Sequence, residues 1–152
     1  APPSWAPRTP AEQEADRELG RRGEMLVLRE ERARLATRGL REEAVVWTAD
    51  ASPAADHDIR SVGDDGQPLY IEVKATRGRD GRFSWPLAEF KLAVEQRGRY
   101  VLYRVYEADS RTPTIVGISD PVGAMHDGRL AINVETLAGD IGPVAGDRDH
   151  GG

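Results

Sequence analysis

Asp58, Glu72 and Lys74 are the residues whose types and spacing point most directly to chemistry. They flank a turn-forming run, Gly63-Asp64-Asp65-Gly66-Gln67-Pro68, that separates two stretches of alternating apolar and polar residues. This is the pattern of a β-hairpin. If the hairpin is symmetric about Asp65, paired residue numbers add to 130 and Asp58 stands opposite Glu72. Directly opposed residues have Cβ atoms about 4.5 to 5.5 Å apart on one face of the sheet. Two carboxylates that close repel unless a cation lies between them. Side chains alternate along a strand, so Lys74 shares their face while Ile59, Ile71 and Val73 point the other way, into a core. Oxygen ligands from Asp58 and Glu72, with water in the remaining positions, suit Mg²⁺ or Mn²⁺ better than Zn²⁺. Such an ion would polarise a phosphate and help ionise an attacking water, which the Lys74 ammonium could orient. A one-residue slip of register would undo this, and a Glu and Lys pair across strands is also an ordinary solvated face.

The elements that must position these residues follow from the pattern around them. The first ten residues hold four prolines and read as a linker or tail, as though the chain were a piece of a larger protein. Residues 11–138 form the expected single domain. Within it, Ala11 to Arg38 is a charged, proline-free helical stretch, either one helix or two with a break near Gly20 to Gly23. Ala44 to Thr48 is β-branched and aromatic and predicts a first strand. His57 to Val62 and Leu69 to Ala75 form the hairpin. Ser84 is expected to cap a helix over Pro86 to Gln96, with Pro86 in its first turn. Tyr100 to Tyr106 and Thr114 to Ile118 predict two further strands, Leu130 to Val134 a short last one, and residues 139–152 a disordered Gly- and Asp-rich tail. Helix, strand, hairpin, helix, strand, strand implies an α/β (mixed α+β) domain with a central mixed sheet flanked by helices.

Composition narrows the function. A length of 152 residues suits one domain with a sizeable core. Lys and Arg number 21 against 26 Asp and Glu, a formal charge of −5, so any contact with nucleic acid must be local. The sequence has no cysteine, which removes disulfides, thiolate metal sites and cysteine nucleophiles. No apolar run approaches the roughly 18 residues that span a bilayer, and the expected compartment is the cytoplasm.

Several short motifs recur in order: Gly20-x-x-Gly23-Glu24, Val46-Trp47, Asp58-Ile59-Arg60-Ser61, Tyr70-Ile71-Glu72-Val73-Lys74-Ala75-Thr76, Phe83-Ser84 with Glu89, Tyr100-x-x-Tyr103-Arg104-Val105 and Asp120-Pro121. Together they resemble the protein NO VEIN C-terminal family, a domain of unknown function considered similar to PD-(D/E)XK nucleases. The resemblance implies a restriction-endonuclease-like core, Asp58 and Glu72 as metal ligands, Lys74 as the catalytic lysine, and Glu24 of the first helix facing the same site. His57 stands where the superfamily's name has proline.

Other residues carry two readings. Glu24 shares a helical face with Leu28, Glu31 and Leu35, while Leu19, Leu26 and Ala33 form a rival stripe. His57 is either a partner to the ligands or a structural histidine, and Glu89 either completes the site or favours the positive first turn of its helix. Arg77, Arg79 and Arg82 lie in a glycine-punctuated loop where guanidinium groups could grip phosphates, or could simply be solvated. Tyr100, Tyr103 and Tyr106 suit strand packing better than base stacking. The function expected is metal-dependent hydrolysis of phosphodiester bonds, in DNA before RNA, as part of a larger defence or DNA-processing protein. The alternative is a catalytically inactive nuclease-fold module that binds nucleic acid or a partner protein.

Overall fold

The computed structural model describes residues 6–52 and 54–131. Helix α1 (Pro10–Thr37) is a single 28-residue helix. Thr9 caps it: the Thr9 hydroxyl accepts the Glu12 N–H while the Glu12 carboxylate accepts the Thr9 N–H, satisfying two of the orphan amides at a helix start. Thr9 and Pro10, expected in the linker, thus belong to the helix. No break occurs at Gly20 to Gly23. Gly23 is there for contact, since a Cβ at this position would come within 2.7 Å of the Ala75 Cβ.

The sheet contains β1 (Val46–Trp47), β2 (Ile59–Val62), β3 (Pro68–Ala75), β4 (Tyr100–Tyr106) and β5 (Thr114–Ser119), in that spatial order. All neighbours are antiparallel except β3 and β4, which are parallel. The parallel pair is joined through α3 (Leu87–Gln96), as a parallel connection requires. The architecture is therefore mixed α+β, a five-stranded mixed sheet flanked by helices.

Several boundaries differ from expectation. β1 is only two residues long, because Thr48 opens the short helix α2 (Thr48–Ala51). Ser84 does not cap α3; Pro86 occupies the cap position and makes no side-chain cap bond. Leu130 and Ala131 are not in a strand, and the remainder of that expected strand lies outside the described residues, as does the 139–152 tail. Asp120, in a left-handed conformation, caps α4 (Pro121–His126) through the Gly123 N–H.

The sheet separates two apolar clusters. On one face Val27, Leu28 and Leu35 of α1 pack against Ile59, Ile71, Val73 and Val105. On the other, Leu92 and Ala93 of α3 pack against Tyr100 and Leu102, with Phe83 and Trp85 around them. The α1 side also buries a charge. Glu31, 2% exposed, accepts hydrogen bonds from the Ser61 hydroxyl at 2.7 Å, the Tyr103 hydroxyl at 2.6 Å and the Arg34 guanidinium at 2.8 Å. These partners hold its carboxyl below the usual range, although burial alone would raise it. Tyr103 is thereby committed to packing, as expected, and Tyr100 is wholly buried.

Candidate metal and nucleic-acid site

The hairpin closes in the expected register. Ile59 pairs with Ile71, Arg60 with Tyr70 and Ser61 with Leu69, so partner numbers add to 130. Asp58 lies immediately before β2, where its N–H extends the ladder to the Ile71 carbonyl at 2.9 Å. Its carboxylate turns back onto β3 and accepts the Val73 N–H at 2.8 Å, which fixes it beside Glu72. Ile59, Ile71 and Val73 point into the α1-side core. Glu72 and Lys74 therefore occupy the opposite face, toward α3.

Glu72 is 3% exposed. Burial first, and the neighbouring Asp58 second, push its carboxyl far above the carboxylate range. Burial raises Asp58 too, opposed by the Val73 N–H and by hydrogen bonding with Glu72. Like charges this close in a desolvated site disfavour ionisation of both carboxyls at once. Lys74 lies 3.3 Å from Glu72 and 2.7 Å from Glu89 of α3. Burial alone would lower the Lys74 ammonium, yet the two carboxylates outweigh it and raise it. Glu89 is thus brought to the site through Lys74.

Glu24 approaches from α1. Its carboxylate accepts the Trp47 indole N–H at 2.6 Å, and Arg21 stacks over the Trp47 ring at 4.5 Å while pairing with Asp50. Burial pushes Glu24 up to about 7; the indole bond opposes this and the nearby Asp58 charge adds to it. The structure therefore selects the Glu24, Leu28, Glu31, Leu35 face of the helix over its rival. The buried crossing at Gly23 forces that rotation, because only the glycine side of α1 can approach β3 so closely.

Other residues lie further out. His57 is held by Asp56 at 2.8 Å and by edge contact with Tyr70 at 5.2 Å; among the described residues its Nε2 has no partner. Arg77 pairs with Asp109 at 3.4 Å and donates to the Ala15 carbonyl, Arg79 pairs with Glu107 at 3.3 Å, and Arg82 is exposed. None of the three touches the carboxylates. Two residues escaped the sequence reading as site elements. Trp47 was visible as a strand residue and as part of the Val46-Trp47 motif but not as a partner of Glu24, although an indole needs a partner for its N–H when it is packed. Arg104, paired in register with Lys74, is 5% exposed; a lone arginine inside an apolar strand was the signal that marked it.

The family described as Protein NO VEIN, C-terminal, matches residues 23–118, well over half of the chain. The chain belongs to this family. The matched span begins at the glycine where α1 crosses β3 and includes Glu24, Trp47, Asp58, Glu72, Lys74, Glu89 and Arg104. No curated protein and no solved structure matches the chain. No described helix is long and apolar enough to cross a membrane.

Proposed function

We propose that this NO VEIN C-terminal domain is a nuclease of the PD-(D/E)XK kind, hydrolysing phosphodiester bonds, DNA before RNA, with a hard divalent cation such as Mg²⁺ or Mn²⁺. The observation that carries the reading is the placement of Asp58 against Glu72 with Lys74 on the same side of the sheet, two residues along β3.

The donor set fits such an ion. Asp58 and Glu72 offer oxygen ligands only, and no group of three or more His, Asp or Glu that could hold a metal is found among the described residues. Two protein carboxylates, with water and substrate oxygens completing the shell, is the usual Mg²⁺ arrangement. A cation between them would relieve the repulsion of Asp58 and Glu72 and favour the ionised form of both. When bound, the ion supplies Lewis-acid polarisation of the phosphate and lowers the pKa of a coordinated water.

The chain's own residues do the rest. Val73 N–H fixes the Asp58 carboxylate. Lys74, between Glu72 and Glu89, is held to a short arc from which its ammonium can orient a nucleophilic water and offset negative charge on the phosphate. Glu24, near neutrality in its proton affinity, can take or give a proton at physiological pH.

A second reading is a non-cleaving module that binds nucleic acid or a partner protein. The 2.7 Å contact of Lys74 with Glu89 favours it, because an ammonium so engaged must be released before it can serve a water. Cleavage of supercoiled plasmid separates the two. The nuclease requires nicking with Mg²⁺ or Mn²⁺, none with EDTA, and none for Lys74→Ala. Absence of nicking, together with no rise in melting temperature on adding Mg²⁺ to wild type, refutes the metal-dependent nuclease.

A further inference from the structure

Arg104 stands out as a buried cation outside any ion pair among the described residues, although the Asp80 charge and the Tyr106 hydroxyl favour its charged form. Its neighbour across the parallel ladder is Lys74, so both side chains leave the sheet on the α3 face. None of the ion pairs among the described residues includes Arg104, and its Nε is buried with no hydrogen-bond partner there. Burial lowers the guanidinium from its ordinary range, as desolvation of a cation should. A cation kept in such a place needs a purpose that outweighs its desolvation.

Its bonds indicate one. The Nη2 group donates to the Asp80 carbonyl at 2.9 Å and also to the Arg82 carbonyl, and the guanidinium sits 5.5 Å from the Tyr106 ring centre and 6.0 Å from that of Phe83. The start of the same loop is tied elsewhere: the Thr76 N–H donates to Val105, and the Glu107 N–H to Gly78. Beyond Gly78 the loop is held by the local bond from the Arg82 N–H to Asp80, by the exposed pair of Arg79 with Glu107, and by the bonds from Arg104, which alone reach it from inside the sheet. Arg79 and Arg82, both exposed, extend from this second half.

We propose that Arg104 is a positioning residue for nucleic-acid phosphates: from inside the sheet it fixes the Arg79 to Arg82 loop, so that these two guanidinium groups meet the backbone of a duplex in a set geometry. This rests on the nucleic-acid reading above. Phosphates are the class of ligand that two fixed, exposed arginines select, since guanidinium forks match phosphate oxygens.

The test is duplex binding by the full chain over a series of salt concentrations, for wild type, Arg104→Met, the Arg79→Ala/Arg82→Ala pair, and all three substitutions together. At 0.15 M salt each phosphate contact contributes roughly fivefold, from a slope of about 0.9 per contact. Arg104→Met is expected to weaken binding by about five- to thirtyfold and to make the salt slope shallower by about one to two. Added to the double variant, it should cause almost no further loss. Hydrogen exchange supplies a readout independent of DNA: the amides of residues 79–83 should exchange faster in Arg104→Met, while those of β3 stay protected. Additive losses, an unchanged salt slope, or unaltered exchange in the loop would overturn the proposal. Wild type that captures no duplex overturns the nucleic-acid reading and this inference with it, whereas wild type that binds while Arg104→Met binds equally well sinks the inference alone.

Discussion

Replacing Glu24 by glutamine should make the protein more stable at alkaline pH while leaving it nearly unchanged at acid pH. Glu24 has its pKa raised from its ordinary 4.5 to about 7, chiefly by burial. A carboxyl whose folded value lies above its unfolded one holds its proton more tightly when folded. The unfolded chain ionises first, so folding is progressively penalised as pH climbs from 4.5 to 7, and the penalty is complete above 7. Taken at face value the rise corresponds to about 3 kcal/mol. Solvent reaches this partly buried side chain, which reduces the figure to about 1 to 2 kcal/mol. Glutamine cannot ionise, and its amide oxygen can still accept the Trp47 indole N–H. Glu24→Gln should therefore exceed wild type by about 1 to 2 kcal/mol at pH 8 and by a few tenths at pH 5. Urea denaturation in EDTA reads this as a midpoint shift on the order of 1 M at pH 8. A variant no more stable than wild type at pH 8, or a gap that does not change with pH, would refute the burial of Glu24 as the source of its proton affinity.

Three further outcomes test the same structure. Gly23→Ala should destabilise by about 1 kcal/mol or more despite the better helix propensity of alanine, because its methyl meets Ala75; Gly20→Ala, with nothing within 4 Å, should instead stabilise by about 0.5 to 1 kcal/mol, and calorimetry that ranks the pair the other way contradicts the crossing. Glu31→Ala should cost about 3 kcal/mol by leaving two buried hydroxyls without their acceptor and Arg34 with only Asp64 and the Val62 carbonyl, against about 1 to 2 kcal/mol for Ser61→Ala, both read from denaturant midpoints. Lys74→Met should lower stability by about 3 kcal/mol through the carboxylates it leaves unpaired, and millimolar Mg²⁺ should restore part of the loss. Thermal melts in which Mg²⁺ restores nothing would count against Asp58 and Glu72 as a cation site.

Much of this arrangement was legible before the fold was in view. Hairpin register follows from strict alternation about a glycine-rich turn, and it alone sets Glu72 and Lys74 opposite Ile71 and Val73. The rotation of α1 did not follow, because two apolar stripes compete along the helix and only the Gly23 crossing decides between them. Glu31 looks like any surface glutamate in sequence; its burial depends on Ser61, Tyr103 and Arg34, which arrive from three elements. Ser84 carries the right side chain for a cap, yet Trp85 and Pro86 extend the chain past it, and the helix starts later. Arg104 is unusual within its strand, but only three-dimensional placement shows that its partners are loop carbonyls rather than a carboxylate.

β3 is the middle strand, bonded along both edges, and it carries Glu72 and Lys74. A fluctuation that moves either residue must break two ladders at once, so these groups belong to the part of the molecule that opens last. Their companions are attached differently. Asp58 sits off the end of β2, Glu89 on a ten-residue helix and Glu24 on α1 against the two-residue strand β1. The constellation thus has a stationary part on β3, to which the Val73 N–H ties Asp58 and the Gly23 crossing holds Glu24, and adaptation to a ligand would be taken up first by Glu89 on its short helix.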